Sequence, residues 1–133
     1  MNIQLLTPML LHVLLTAVLY AALTIVRAPT VWNIGANKDG TNPWALLEPK
    51  ISANLSNQFE WPLFFYAICI LLLSNPALLS PTYIYLAWVF IIGRLIHTSI
   101  HLFTNNIRLH GAVFTINFLA VLLMWLKLGF ASI

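Results

Sequence analysis

Three basic side chains interrupt an apolar stretch of the chain, WVFIIGRLIHTSIHLF (Trp88–Phe103). They are Arg94, His97 and His101, and their spacing of i, i+3 and i+7 places all three on one face of a helix. A charged residue in the middle of a membrane helix costs about 2.5–3.5 kcal/mol even on the mildest insertion scales, so it needs a partner. Glu60 is the only carboxylate within any apolar stretch. We therefore predict an ion pair between Glu60 and Arg94.

A second polar stripe precedes this stretch in the sequence. Its members, at steps of three and four residues, are Lys50, Ala53, Asn57, Glu60 and Phe64. If the two helices run antiparallel, Glu60 and Arg94 are equally far along the chain from the connection 74–80 and lie at similar depth. Arg27 and Arg108 stand at the mouth away from that connection. Together these side chains predict a basic, hydrogen-bonding cleft that suits a small anion.

The composition places these residues in a membrane. The chain has 133 residues, of which 61% are hydrophobic and 7% charged, whereas soluble domains carry about 25% charged residues. The length fits four spans of about 20 residues each, which we expect over about 5–26, 52–73, 81–103 and 109–130. This predicts a single-domain, all-α integral membrane protein with a four-helix bundle in the lipid bilayer. The net charge of +3 is scattered along the chain and argues against a nucleic-acid partner.

The second span has two dissimilar halves. The first half, ISANLSNQFEW, is too polar for lipid, and the second half, PLFFYAICILLL, is too short to cross a bilayer alone. We expect one long helix whose polar start projects from the membrane or lines a cavity. Pro62 should bend this helix or loosen one of its turns.

Loop charges set the expected orientation. Arg27, Lys38, Lys50 and Arg108 lie in or beside the first and third connections, and Lys127 is the one cation near the other side. Because positive residues concentrate in cytoplasmic loops, we expect loops 27–50 and 104–108 to be cytoplasmic. The low charge and the lack of recognisable internal-membrane signals favour a bacterial inner membrane.

Two motifs resemble those of the MAPEG family, the membrane-associated proteins in eicosanoid and glutathione metabolism. NQFEWPLF (Asn57–Phe64) resembles the N-x-x-E motif of helix two, with its proline soon after. GRLIHTSIH (Gly93–His101) resembles the helix-three motif G-R-x-x-H, which is followed four residues on by a tyrosine where this chain has His101. Arg108 matches an arginine that opens helix four. The resemblance covers nearly the whole chain, including its length, four spans and loop pattern.

The resemblance implies a homotrimer with sites between neighbouring subunits on the cytoplasmic side, each holding glutathione. Arg108 would be the catalytic residue, because a nearby cation lowers the pKa of a thiol and raises its thiolate fraction. The remaining residues that it places around the tripeptide are Asn57, Glu60, Arg94, His97, His101 and Arg27.

The leading hypothesis is a glutathione-dependent transferase or peroxidase acting on a lipophilic electrophile that enters from the bilayer. The alternative is a non-catalytic membrane scaffold or lipid-binding protein that kept the fold and lost glutathione binding. A difference from the family's enzymes supports this alternative. Those enzymes carry arginines where this chain has Ala53 and Ser56, and a histidine where it has Leu55. Lys50, one turn before Ala53, offers a partial substitute. A transporter or channel is disfavoured, because paired glycines break none of the spans.

Less specific interpretations exist for the same residues. Glu60 and Arg94 fit a structural ion pair that locks helix packing. His97 and His101 fit interhelical hydrogen bonding, or less readily a zinc site completed by Glu60; we expect no metal, since no second carboxylate or thiol is placed to help. Arg108 fits a cytoplasmic anchor.

Two further polar residues stand alone in apolar spans. His12 lies in the first span and Asn117 in the fourth. We expect both to form hydrogen bonds across helices rather than to bind ligands.

Overall fold

The computed structural model describes residues 3–131, and within that range all regular structure is helical. The helices are α1 (Ile3–Trp32), α2 (Glu48–Asn57), α3 (Pro62–Ser74), α4 (Pro81–Phe103) and α5 (Ile107–Ala131), with one 3₁₀ turn at Pro76–Leu78. Four segments of the described chain are long and apolar enough to cross a membrane: α1, α2 with α3, α4, and α5. The predicted all-α membrane fold with four spans is confirmed.

The second span is two helices and not one. Residues 58–61 lie outside helix, between the end of α2 and the start of α3. Pro62 opens α3, where its missing N–H does not matter. Inside a continuous helix the same proline would have clashed with the carbonyl of residue 58. The backbone N–H groups of Gln58 and Phe59 instead donate to the carbonyls of Leu55 and Ser56, which tightens the last turn of α2. The expectation of one long helix was therefore wrong.

The first span is longer than its apolar core requires. α1 continues past Val26 to Trp32, with Pro29 inside it. The Asn42 side chain, from the connection 33–47, donates to the carbonyl of Val26 and to the hydroxyl of Thr30. These contacts attach the first connection to the last turns of α1 and extend ordered structure beyond the predicted limit of the span.

Side-chain contacts show how the helices run. Lys50 Nζ donates to Asn105 Oδ1 at 2.8 Å, which joins the start of α2 to the connection after α4. Lys127 Nζ lies 5.1 Å from the centre of the Tyr83 ring, which joins the last turns of α5 to the start of α4. We call the end with connections 33–47 and 104–106 the loop end, and the end with connection 75–80 the opposite end.

Two apolar clusters hold the bundle together. The larger one joins α1, α3, α4 and α5, and its fully buried members include Leu5, Phe65, Phe90 and Met124. The smaller one joins α1 and α2 near the loop end, around Leu23. The buried polar side chains His12, Gln58 and Arg94 lie outside these clusters, around the break in the second span.

Candidate functional site

Arg94 is held by the break in the second span. Its side chain is 2% exposed. Its Nη2 donates to the carbonyl of Asn57 at 3.0 Å, and its Nε donates to Oε1 of Gln58 at 3.2 Å. Asn57 ends α2, where carbonyls lack helical partners and where the helix dipole favours a positive charge. Arg94 therefore caps the end of α2 at the break in the second span.

The predicted ion pair between Glu60 and Arg94 is wrong. Glu60 lies in the break and is exposed. Within residues 3–131 the only ion pair shorter than 4.0 Å joins Arg27 to Glu48, and Glu60 acts on Arg94 only from farther away. The helical stripe that led to the prediction ends at Asn57, because the chain leaves helical geometry there. The side chain of Gln58 takes the place expected for Glu60.

Gln58 is the centre of a buried polar network. Its Oε1 accepts from Arg94 Nε and lies 2.9 Å from His12 Nε2, and its Nε2 donates to the carbonyl and to Oδ1 of Asn54. Thr98 donates to the same Oδ1 at 3.1 Å. The network links all of the first three spans, so the expected hydrogen bonding of His12 across helices is confirmed.

Hydrogen-bond counting assigns the protons of this network. The Arg94 guanidinium only donates, so Gln58 must present its oxygen to that side. His12 Nε2 then has to carry a proton in order to bond the same oxygen. In a neutral ring this leaves His12 Nδ1 as an acceptor, and the hydroxyl of Tyr66, 2.7 Å away, donates to it. Tyr66 therefore donates to His12, and His12 donates to Gln58.

Three histidines meet between α4 and α5, towards the loop end. Nδ1 of His101 lies 3.0 Å from Nε2 of His110, and the His97 and His110 rings are 4.3 Å apart. His97 is fully buried, and neither of its ring nitrogens has a hydrogen-bond partner in the described residues. Within the part of the chain that the structure describes, no group of three or more His, Cys, Asp or Glu side chains is arranged to hold a metal ion.

A cavity of about 310 Å³, lined by polar side chains and by Ile100 and Ile107, adjoins this histidine cluster. Its polar lining consists of Lys50, His101, His110, Thr104, Asn105 and Asn106. Lys50 is already bonded to Asn105 in its wall. The loop end therefore presents one cation, two imidazoles and small polar groups around a single space, which is the chemistry expected of an anion site.

The other two predicted arginines are separate from this cluster. Arg27 Nε donates to Glu48 Oε1 at 2.7 Å, and Nη2 of Arg27 donates to Ser52. Arg108 lies in the first turn of α5, is exposed, and forms no hydrogen bond or ion pair through its side chain to any residue from 3 to 131. Of the three arginines predicted for the site, Arg27 and Arg94 form side-chain hydrogen bonds, and Arg108 forms none to the described residues.

Asn117 does not form the expected hydrogen bond across helices. It is 1% exposed, and its amide nitrogen and oxygen lack hydrogen-bond partners among the described residues. Its side chain instead packs directly against Gly93 of α4. This residue is a packing contact between α4 and α5.

Sequence reasoning missed four residues of the polar networks: Gln58, Asn54, Thr98 and His110. The sequence does contain features that point to two of these residues, Gln58 and His110. Gln58 follows Asn57 directly and is a second amide in a membrane span. His110 opens the fourth span just after a short connection, which brings it back beside His101. Neither residue belongs to the two polar stripes defined by helical spacing. Helical periodicity alone therefore could not identify them as site residues.

The sequence was compared with known proteins. A family model described as the MAPEG family matches residues 5–130 of the 133-residue chain. Comparison with curated proteins gave no match, and comparison with solved structures gave none either.

Proposed function

The chain belongs to the MAPEG family, and from this membership and the site geometry we propose that it is a glutathione-dependent transferase or peroxidase acting on lipophilic electrophiles. The catalytic unit is a homotrimer, and glutathione binds between neighbouring subunits at the loop end. The lipophile reaches it from the bilayer. Asn57, Glu60 and His101 contact the tripeptide, and the fully buried His97 supports the ring of His101 from behind.

One observation carries the proposal: two opposite charges are exposed on the chain and unbound within it. Glu60 has no hydrogen bond or ion pair through its carboxylate in residues 3–131, and the same holds for the guanidinium of Arg108. An exposed carboxylate in a membrane span is costly unless another protein or a polar ligand meets it. A neighbouring subunit with bound glutathione would supply that partner to both residues.

The chemistry assigned to Arg108 is stabilisation of a thiolate. A guanidinium close to the sulfur lowers the pKa of the thiol, whose proton passes to water. The sulfur then forms a bond to the electrophilic carbon, and the leaving group departs with the electron pair of the bond that breaks. With a lipid hydroperoxide, two thiols reduce the O–O bond, and the products are an alcohol, water and the disulfide.

Two further arginines have supporting roles in the proposed site. Arg94 supports the site from beneath, since its guanidinium fixes the carbonyl of Asn57. Arg27 is assigned to the rim as an anion ligand that would first have to release Glu48. The protein lies in a bacterial inner membrane, and its loops 27–50 and 104–108 face the cytoplasm. Glutathione therefore reaches the site from the cytoplasm.

A melting experiment tests the proposal. The detergent-purified protein should melt at a higher temperature with millimolar glutathione, because a ligand that binds only the folded state adds about 2.7 kcal/mol at a hundredfold excess over its Kd. Arg108→Ala should abolish both the shift and thiol-dependent turnover of an aromatic halide. Lys38→Ala removes a cation from the same end of the molecule and is the matched control. Turnover that is unchanged in Arg108→Ala would exclude the proposed mechanism.

A second candidate function has its own support. Ala53 and Ser56 are exposed on α2, where the family's enzymes carry arginines, and the one nearby substitute, Lys50, is bonded to Asn105. Arginine forks are the usual means of binding carboxylates. A non-catalytic scaffold or lipid-binding protein fits this loss. Thiol-dependent turnover that needs an intact cleft would exclude this alternative.

A further inference from the structure

A cavity of about 440 Å³ lies between α1 and the break in the second span. Its volume falls in the range of about 300–1,000 Å³ that is usual for small-molecule sites. The lining residues are His12, Val13, Thr16, Ala17, Tyr20, Gln58, Phe59, Leu63 and Tyr66. Asn57, Glu60 and Arg108, to which we assign contacts with glutathione, are absent from this lining. The cavity is therefore distinct from the proposed glutathione site.

The cavity combines an apolar wall with a polar floor. Val13, Phe59 and Leu63 in the wall are each more than half exposed on the surface of the chain. His12 and Gln58 in the floor are 1% and 3% exposed. A molecule inside would thus meet hydrocarbon along most of its length and hydrogen-bonding groups at one end.

The floor has little hydrogen-bonding capacity to spare. Both nitrogens of His12 are used, by Tyr66 and Gln58. The Gln58 oxygen already meets Arg94 and His12, and its nitrogen already donates to two oxygens of Asn54. A ligand that needs a strong charged partner would find none free there.

Hydroxyl groups provide the hydrogen-bonding capacity that remains: those of two tyrosines, and that of Thr16, which donates to the carbonyl of His12 and can still accept. The Tyr66 hydroxyl gives its proton to His12 Nδ1 at 2.7 Å, while its other neighbouring acceptor, the carbonyl of Met9, is at 3.4 Å. The Tyr66 oxygen can therefore still accept a hydrogen bond. Tyr20 stacks edge-on against Phe59 and makes no hydrogen bond through its hydroxyl to the described residues, so it can donate. One acceptor and one donor together match a ligand hydroxyl.

The position of the cavity supports a ligand role. Non-helical backbone at membrane depth is tolerated where it is buried in protein or lines a cavity, and broken spans often mark binding sites. Here the break contributes Gln58 and Phe59 to the lining. Arg94, bonded to the far side of Gln58, places a positive charge behind the floor and disfavours a cationic ligand.

We propose that this cavity binds an uncharged single-chain lipid alcohol. Its hydroxyl donates to the oxygen of Tyr66 and accepts from the hydroxyl of Tyr20, and its chain lies along the wall formed by Val13, Ala17 and Leu63. This site does not depend on thiol chemistry, so it stands or falls separately from the proposed function.

Photolabelling tests the proposal. The full chain, in nanodiscs of phosphatidylcholine, is irradiated with a long-chain alcohol that carries a diazirine next to its hydroxyl end, and labelled peptides are mapped by mass spectrometry. We expect the label in residues 12–20 and 58–66, and stronger competition by the unlabelled alcohol than by its methyl ether, which cannot donate to Tyr66. Tyr66→Phe should reduce the labelling about two- to tenfold, the effect of one hydrogen bond.

A matched pair of variants fixes the location. Ala17 lines the cavity, and Ala21, one turn along the same helix, does not; both are exposed. Ala17→Trp should abolish the label by filling the cavity, and Ala21→Trp should preserve it. Label spread over every membrane-facing helix, equal loss in both tryptophan variants, or equal competition by the methyl ether would each overturn the proposal.

Discussion

The side chain of Asn117 on α5 lies against the backbone of Gly93 on α4, so close that a β-carbon at position 93 would overlap its Oδ1. Both residues are buried. Gly93 thus has a packing reason to be glycine: it lets α5 approach the turn of α4 from which Arg94 extends. Close approach through small residues is a common device of membrane helix pairs.

Adding a methyl group at this contact should destabilise the protein. Gly93→Ala is expected to cost about 1–3 kcal/mol, the usual range for overpacking, measured by denaturant unfolding in detergent. The double variant with Asn117→Ala should recover most of that loss, since the two residues are in direct contact. Gly111→Ala is the control, because nothing lies within 4 Å of a β-carbon at that position. Additive losses in the double variant would contradict this account.

Removing Arg94 should cost far more stability than removing a surface arginine. Arg94→Leu takes away the charged hydrogen bonds to the carbonyl of Asn57 and to Gln58, which we expect to cost about 1.5–3 kcal/mol. Arg27→Leu, which breaks an exposed ion pair with Glu48, should cost about 0–1 kcal/mol. Unfolding curves of the two variants give the comparison. Equal losses would mean that Arg94 does not support the break in the second span.

The proposed function predicts that arginines at positions 53 and 56 would strengthen glutathione binding. Ala53 and Ser56 are exposed, so Ala53→Arg with Ser56→Arg can be accommodated without disturbing the core. A new charged hydrogen bond contributes about 1.5–3 kcal/mol, which corresponds to roughly a ten- to hundredfold lower Kd. Calorimetry of the purified protein measures the change. Ala45→Arg with Leu46→Arg adds the same two charges on the exposed first connection, and an equal gain from this control would show that general attraction, and not the site, is responsible.

Thiol labelling from each side of the membrane should reveal the orientation. In a Cys69→Ser background, which removes a buried thiol, Lys38→Cys reports on the loop end and Ala77→Cys on the opposite end. A membrane-impermeant reagent added outside intact cells should modify only the cysteine at position 77, because the cations concentrate at the loop end. Modification of position 38 alone would reverse the proposed orientation.

The sequence by itself determined the family, the membrane setting and the number of spans. These properties follow from local features, since hydropathy and charge act residue by residue along the chain. The spacing of Arg94, His97 and His101 also correctly indicated one face of one helix, because α4 is continuous from Pro81 to Phe103.

Only the tertiary structure decided which groups those side chains meet. The prediction for Glu60 assumed a continuous second helix, and the break at 58–61 moved its carboxylate to the surface while the neighbouring Gln58 took the buried position. The bond between His101 and His110 depends on how tightly α5 folds back onto α4. Helical periodicity specifies a direction around one axis, whereas a contact between helices depends on the rotation and separation of both axes and on where the backbone leaves helical geometry.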